Sequence, residues 1–145
     1  MDRGVLLYPS DNLKEYLMVE QPKQKYVLIV VDTERLRKKV KEALKGKDIS
    51  LRSVACIADA FSALMEKKKP DLCILTNKIG DRDEGLDFLR QLRMDGDQEP
   101  VIIYSNTVTA EGQREIQRLG GIFILWNPED TGDELAKAVE RLLAT

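Results

Sequence analysis

Six consecutive apolar residues, Tyr26 to Val31 (YVLIVV), constrain this chain more than any other feature. A strand with one wet face alternates polar with apolar, so an unbroken, largely β-branched run predicts a central strand covered on both faces. Both faces are covered when helices alternate with parallel strands, and the downstream sequence has that rhythm. Residues 33–44 place Leu36, Val40, Ala43 and Leu44 at helical spacing among basic residues, with Gly46 as a stop signal. A second strand is expected over 49–54. A second helix follows over 58–66, with Ala60, Phe61 and Leu64 on one face and Pro70 ending it. Residues 72–75 (LCIL) read as strand three, 77–84 (NKIGDRDE) as a polar loop, and Leu86, Leu89 and Leu92 as the stripe of helix three. Strand four is expected over 101–104 and a polar fourth helix over 110–119, anchored by Ile116 and Leu119 and weakened in propensity by Gly112. Residues 122–125 form strand five, and Leu135, Val139, Leu142 and Leu143 mark the last helix. The pattern is α/β, a strand-helix unit repeated five times.

With 145 residues the chain has room for one core. Residues 1–24 read as an N-terminal extension, either an extra packed element or an arm, and residues 25–145 as the domain. The formal net charge of -2 supplies no global attraction to nucleic acid or anionic lipid, and 43% hydrophobic with 33% charged residues is a globular balance. No apolar run approaches the roughly 20 residues that span a bilayer, and the N-terminus lacks a secretory core, so the protein reads as soluble and cytoplasmic. Cys56 and Cys73 have no metal-ligand spacing and read as small core residues. The chain has no histidine, which removes the commonest general base and zinc ligand.

Several motifs in register resemble the receiver domain of two-component response regulators. Residues 27–32 (VLIVVD) are similar to that family's first strand and acidic pair, and residues 63–75 (ALMEKKKPDLCIL) to its second helix and Pro-Asp-Leu lead into strand three. Residues 85–93 (GLDFLRQLR) resemble its third helix, 100–105 (PVIIYS) its fourth strand with a terminal hydroxyl, and 120–128 its Gly-containing turn, fifth strand and proline. The resemblance spans about residues 24–144. It implies a flavodoxin-like, doubly wound (βα)5 fold whose five parallel strands lie in the order 2-1-3-4-5.

The same register implies that the family's phosphorylation chemistry is missing. Active receivers hold Mg²⁺ with an acidic pair after strand one and an aspartate after strand three, and neutralise the phosphoryl oxygens with a strand-four hydroxyl and a strand-five lysine. Here Val31 falls on the first acidic position and only Asp32 remains. Thr76 falls on the phosphoacceptor, Asn127 on the lysine and Ile124 on the family's aromatic position; Ser105 survives. One carboxylate is a poor Mg²⁺ site, and a threonine hydroxyl without a base is a weak nucleophile. The resemblance thus implies a pseudo-receiver, with no catalytic residues, metal or cofactor expected.

Blander readings stand beside the sharper ones. Asp32 could be a residual metal ligand, but a cap for helix one is the better expectation. Thr76 could be a kinase target, or a strand-end hydroxyl bonded to nearby backbone. Asp81, Asp83, Glu84 and Asp87 lack EF-hand spacing and read as a solvated loop. Arg37, Lys38, Lys41, Lys45 and the run Lys67, Lys68, Lys69 read as solvated faces without interleaved aromatics. Trp126 either fills the rim of the core or anchors a partner or ligand.

The expected function is a phosphorylation-independent regulatory protein-protein interaction module in signalling or transcription control, with a protein partner or a second copy as partner and no direct contact with nucleic acid or membrane. By the resemblance its interaction face carries Arg114, Arg118, Trp126, Lys137 and Arg141, with Glu134 alongside. The alternative is a small-ligand sensor binding beyond the carboxyl ends of the strands, where Val31, Thr76 and Asn127 leave a more neutral pocket. An enzyme is not expected, since neither a Gly-rich phosphate loop nor a nucleophile-base pair is visible.

Overall fold

The computed structural model describes residues 24–80 and 82–144. Strand β1 (Lys25–Val30) is buried from Tyr26 onward and pairs in parallel on both sides, with β2 (Ile49–Val54) and with β3 (Leu72–Leu75). Adding β4 (Val101–Ser105) and β5 (Ile122–Leu125) completes a parallel sheet in the order β2-β1-β3-β4-β5. This is the expected 2-1-3-4-5 order and the flavodoxin-like α/β fold. The expected extension over residues 1–24 lies outside the described residues, except for Gln24. Among the described residues no helix is long and apolar enough to cross a membrane.

The strand period of two divides β1 between two half-cores. Leu28 and Val30 face the side covered by helices α2 (Ile57–Leu64), α3 (Glu84–Met94) and α4 (Ala110–Arg118). Val27, Ile29 and Val31 face the side covered by α1 (Glu34–Ala43) and α5 (Asp133–Leu143). The apolar stripes expected on α1, α3 and α5 are the ones that pack: Leu36 and Val40; Leu86, Leu89 and Leu92; Leu135 and Val139. Each fully buried aliphatic side chain contributes about 2 kcal/mol of transfer free energy. The unbroken β1 run, like the buried strands β3 (Leu72–Leu75) and β4 (Val101–Ser105), therefore contributes to both layers of the sheet.

Three local expectations need correction, and a fourth is extended. Thr33, not Asp32, caps α1: its backbone is extended and its hydroxyl accepts from Leu36 N at 3.4 Å. Helix α2 stops at Leu64, short of both residue 66 and Pro70, because Met65 is 87% exposed and the exposed lysines after it have no apolar face to bury. Cys56 is exposed at the start of α2, so only Cys73 is a core thiol. Gly112 is a packing requirement as well as a weak helix former, since a Cβ there would lie 2.9 Å from Val108 Cγ1.

Candidate functional site

Parallel pairing brings the ends of β1, β3, β4 and β5 to one edge of the sheet, through the pairs Val30 with Leu75, and Ser105 with Leu125. Val31, Asp32, Thr76, Ser105 and Asn127 all follow or close those strands, so the fold gathers the five positions at one end. Backbone bonds continue the register there: Val31 N donates to Val54 O, Thr76 N to Val30 O and Trp126 N to Ser105 O.

Val31 is buried in the α1/α5 half-core and offers no ligand atom. Asp32 is exposed, and its carboxylate accepts from Gly80 N at 2.7 Å, tying the end of β1 to the loop after β3. Gly80 has φ of 67°, a left-handed conformation that suits glycine. Thr76 is 7% exposed, and its hydroxyl has no hydrogen-bond partner among the described residues, contrary to the expected bond to nearby backbone. Gly85 closes over it: a Cβ on Gly85 would sit 2.2 Å from the Thr76 carbonyl oxygen.

Asn77 was legible only as a loop residue, yet it organises the start of α3. Its side-chain oxygen accepts from Leu86 N at 3.2 Å, its amide donates to Asp83 at 3.1 Å, and its backbone carbonyl accepts from Gly85 N at 2.9 Å. An Asn buried to 3% with these partners acts as a helix cap from a distance. The only signal in the sequence is a polar residue in a loop with glycines at 80 and 85.

Asn127 turns to its own loop. Its oxygen accepts from Glu129 N at 3.0 Å, while its backbone N–H donates to Asp130 at 3.2 Å, an Asx-type turn. Asp130 is the hub of this segment. It accepts from Gly132 N at 2.9 Å and from the Tyr104 hydroxyl at 3.3 Å, and pairs with Lys39 at 3.5 Å. Lys39, from α1, also donates to the carbonyls of Pro128, at 3.1 Å, and of Asp130. Burial first, and then the Asp130 charge, push the Tyr104 phenol well above its usual range, so it stays a neutral donor. Ser105 Oγ accepts from Thr107 N at 3.2 Å and lies 3.0 Å from Thr107 Oγ1.

The acidic loop does not assemble. Asp81 lies outside the described residues, Asp83 pairs with Lys78 at 3.4 Å, and Asp87 with Arg90. Among the described residues no group of three His, Cys, Asp or Glu side chains could hold a metal ion. Cys73 is also chemically quiet, because burial pushes its thiol up to about 12.

Trp126 is half-buried against the α1/α5 half-core, with the Arg35 guanidinium 6.0 Å from its ring centroid and its Nε1 buried without a partner. Around edge strand β5, Arg114, Arg118, Lys137 and Arg141 are exposed, as is Leu125 at 60%. Behind them Arg90 of α3 holds the Glu115 carboxylate of α4 with two nitrogens and keeps it below the usual carboxylate range.

Comparison with known proteins agrees with this fold. Residues 27–140 match the profile of the response regulator receiver domain. No curated protein matches the chain in sequence. The fold is similar to a response regulator receiver protein from Pseudomonas putida, with 23% identity, a TM-score of 0.70, and 83% of this chain and 99% of that one covered. It is similar as well to a receiver protein from Pseudoalteromonas atlantica, at 18% identity and TM-score 0.71 over 82% of this chain and 97% of that one. An orphan response regulator of H. pylori aligns at 18% identity and TM-score 0.67, covering 82% and 96%.

Proposed function

The chain belongs to the response regulator receiver domain family, and from that membership we propose that it is a pseudo-receiver, a signalling module that binds a protein partner without being phosphorylated. The observation that carries this reading is the employment of the pocket residues. Val31 is buried in the core, Asp32 accepts a loop N–H, Thr76 stands where the family resemblance implies the phosphoacceptor, and Asn127 is folded into its own turn. A phosphoryl group at Thr76 would need a metal and a cation to offset its charge, and Asp32 is the only carboxylate at the five positions.

The Asp130 hub supports the same reading. With Tyr104 and Lys39 both bonded to the segment after β5, that segment has a fixed set of partners that involves no phosphoryl group. The contact face then has one resting form, built from exposed Arg114, Arg118, Leu125, Lys137 and Arg141 with Trp126 at its rim.

The test is direct. Acetyl phosphate or beryllofluoride with Mg²⁺ should leave the amide NMR shifts of β1, β3 and β5 unchanged; saturable shifts centred on Thr76 would refute the proposal. The variant Thr76→Asp should also stay unlabelled by acetyl phosphate, since it supplies a nucleophile without the second acid or the lysine. The triple variant Val31→Asp, Thr76→Asp, Asn127→Lys should recover Mg²⁺-dependent labelling, because such groups act as a unit.

A further inference from the structure

We propose that the groove between α2 and α3, on the sheet face opposite α1 and α5, is a docking site for a basic amphipathic helix of a partner protein. Two adjoining clefts of about 430 Å³ each share Phe61 and Asp95 and so run together along the two helices. Their apolar lining comes from Ile57, Phe61, Leu64 and Met65 on the α2 side and from Phe88 and Leu92 of α3. Phe61, half-buried, packs tilted against the core residue Phe88 at 4.8 Å between ring centroids, so Phe88 backs the groove from the core and Phe61 provides its accessible floor. Met65 stands 87% exposed at one end, an unbranched and polarisable side chain suited to varied apolar contacts.

The rim is mainly acidic. Glu84, Asp87, Asp95 and Asp97 line the clefts, against Lys69 alone among the bases. Glu84 and Asp87 on α3 and Asp95 just past its end recur at three- to four-residue spacing through the neutral Gln91, so an interrupted acidic stripe follows the helix beside the apolar lining. Part of it is unneutralised within the chain. Glu84 has no ion pair or hydrogen-bond partner among the described residues, and Asp95 is bonded only to the neutral Gln91 amide, at 3.0 Å. Asp87 is paired with Arg90, and Asp97 lies 3.8 Å from Lys69.

An apolar trough beside a carboxylate stripe selects its occupant by charge. A helix with apolar residues at i, i+3, i+4 and i+7, flanked by Lys or Arg, would bury the first set on the accessible surface of Ile57, Phe61 and Met65 and set the second against Glu84 and Asp95. This site is separate from the face around β5, so it can fail while the proposal for that face stands, and the reverse.

The experiment uses the full chain and a synthetic 14-residue helical peptide with leucines at those four spacings and lysines elsewhere. An otherwise identical peptide with glutamates for the lysines serves as the control. Amide NMR titration should shift residues 57–65 and 84–95 with the basic peptide, and affinity should fall as salt is raised. The surface variants Glu84→Lys and Asp95→Lys together should weaken binding at least fivefold while leaving the fold's spectrum intact. Absence of binding, equal binding of the acidic peptide, shifts confined to α4, β5 and α5, or no weakening by the double variant would each overturn the proposal. So would finding the groove already taken, either by a second copy, seen as concentration-dependent shifts at Phe61, or by residues 1–23, seen as Overhauser contacts from them to Phe61 or Met65.

Discussion

At Asp130 one side chain accepts hydrogen bonds from two backbone N–H groups and a buried phenol and faces a lysine. Hydrogen bonds to a charged group are worth about 1.5–3 kcal/mol each, and removing the carboxylate leaves the Tyr104 hydroxyl without its partner. Asp130→Ala should therefore lower unfolding free energy by about 3 kcal/mol in urea titrations, and Tyr104→Phe by about 1 kcal/mol. Glu99 is a second informative residue. Its Oε1 is buried without a partner, and burial first, then the neighbouring Asp97, raise its carboxyl above the ordinary value. A raised acid favours the native state once protonated: its stabilising contribution is full below the unfolded-state value and is lost as pH rises through the folded one. Glu99→Gln should thus stabilise the protein by about 1 kcal/mol at pH 7, and that advantage should shrink as pH falls through the raised value of Glu99 and be lost by the time pH is below the ordinary glutamate value in thermal melts. Neither Asp130 nor Glu99 stands out in the sequence. Their roles come from contacts between distant segments, such as Lys39 reaching the carbonyl of Pro128, that no local pattern encodes.

The strands and helices, in contrast, were largely legible, because burial on both faces leaves a periodic record. Residues 26–31 read as a covered strand, and the stripes of α1, α3 and α5 have the spacing that packing demands. What failed was local competition at the ends: a threonine displaced Asp32 as the cap of α1, and α2 unwound before its lysines. The positions of Val31, Thr76, Ser105 and Asn127 at one edge followed from the register of the resemblance, whereas Asn77 and Gly85 did not, since a close approach leaves no periodic trace. Gly85 gives a sharp test of that approach. Helix propensity alone would favour Gly85→Ala by about 1 kcal/mol, but the new Cβ would lie 2.2 Å from a backbone oxygen. Overpacking against backbone costs up to about 3 kcal/mol, so the variant should be destabilised by about 2 kcal/mol in chemical denaturation.

For the whole molecule, a net charge of -2 conceals a separation of charge. Exposed Lys38, Lys41 and Lys45 lie on or just after α1, Glu84 and Asp87 lie on α3, and the face around β5 is mixed, with Glu134 beside Arg114, Arg118, Lys137 and Arg141. If the chain self-associates through that last face, Arg118→Glu with Arg141→Glu should shift the dimer toward monomer in analytical ultracentrifugation, and an unchanged dimer would place the contact elsewhere. The segment after β5 bears on how such a molecule could be controlled. Held by Asp130, Tyr104 and Lys39, it has nothing to erase and nothing to reset, so on the proposed reading the fraction of partner engaged follows mass action alone. Synthesis and degradation then set the output, and on that reading the chain works as a dose rather than a switch, its copy number alone deciding how much partner is engaged.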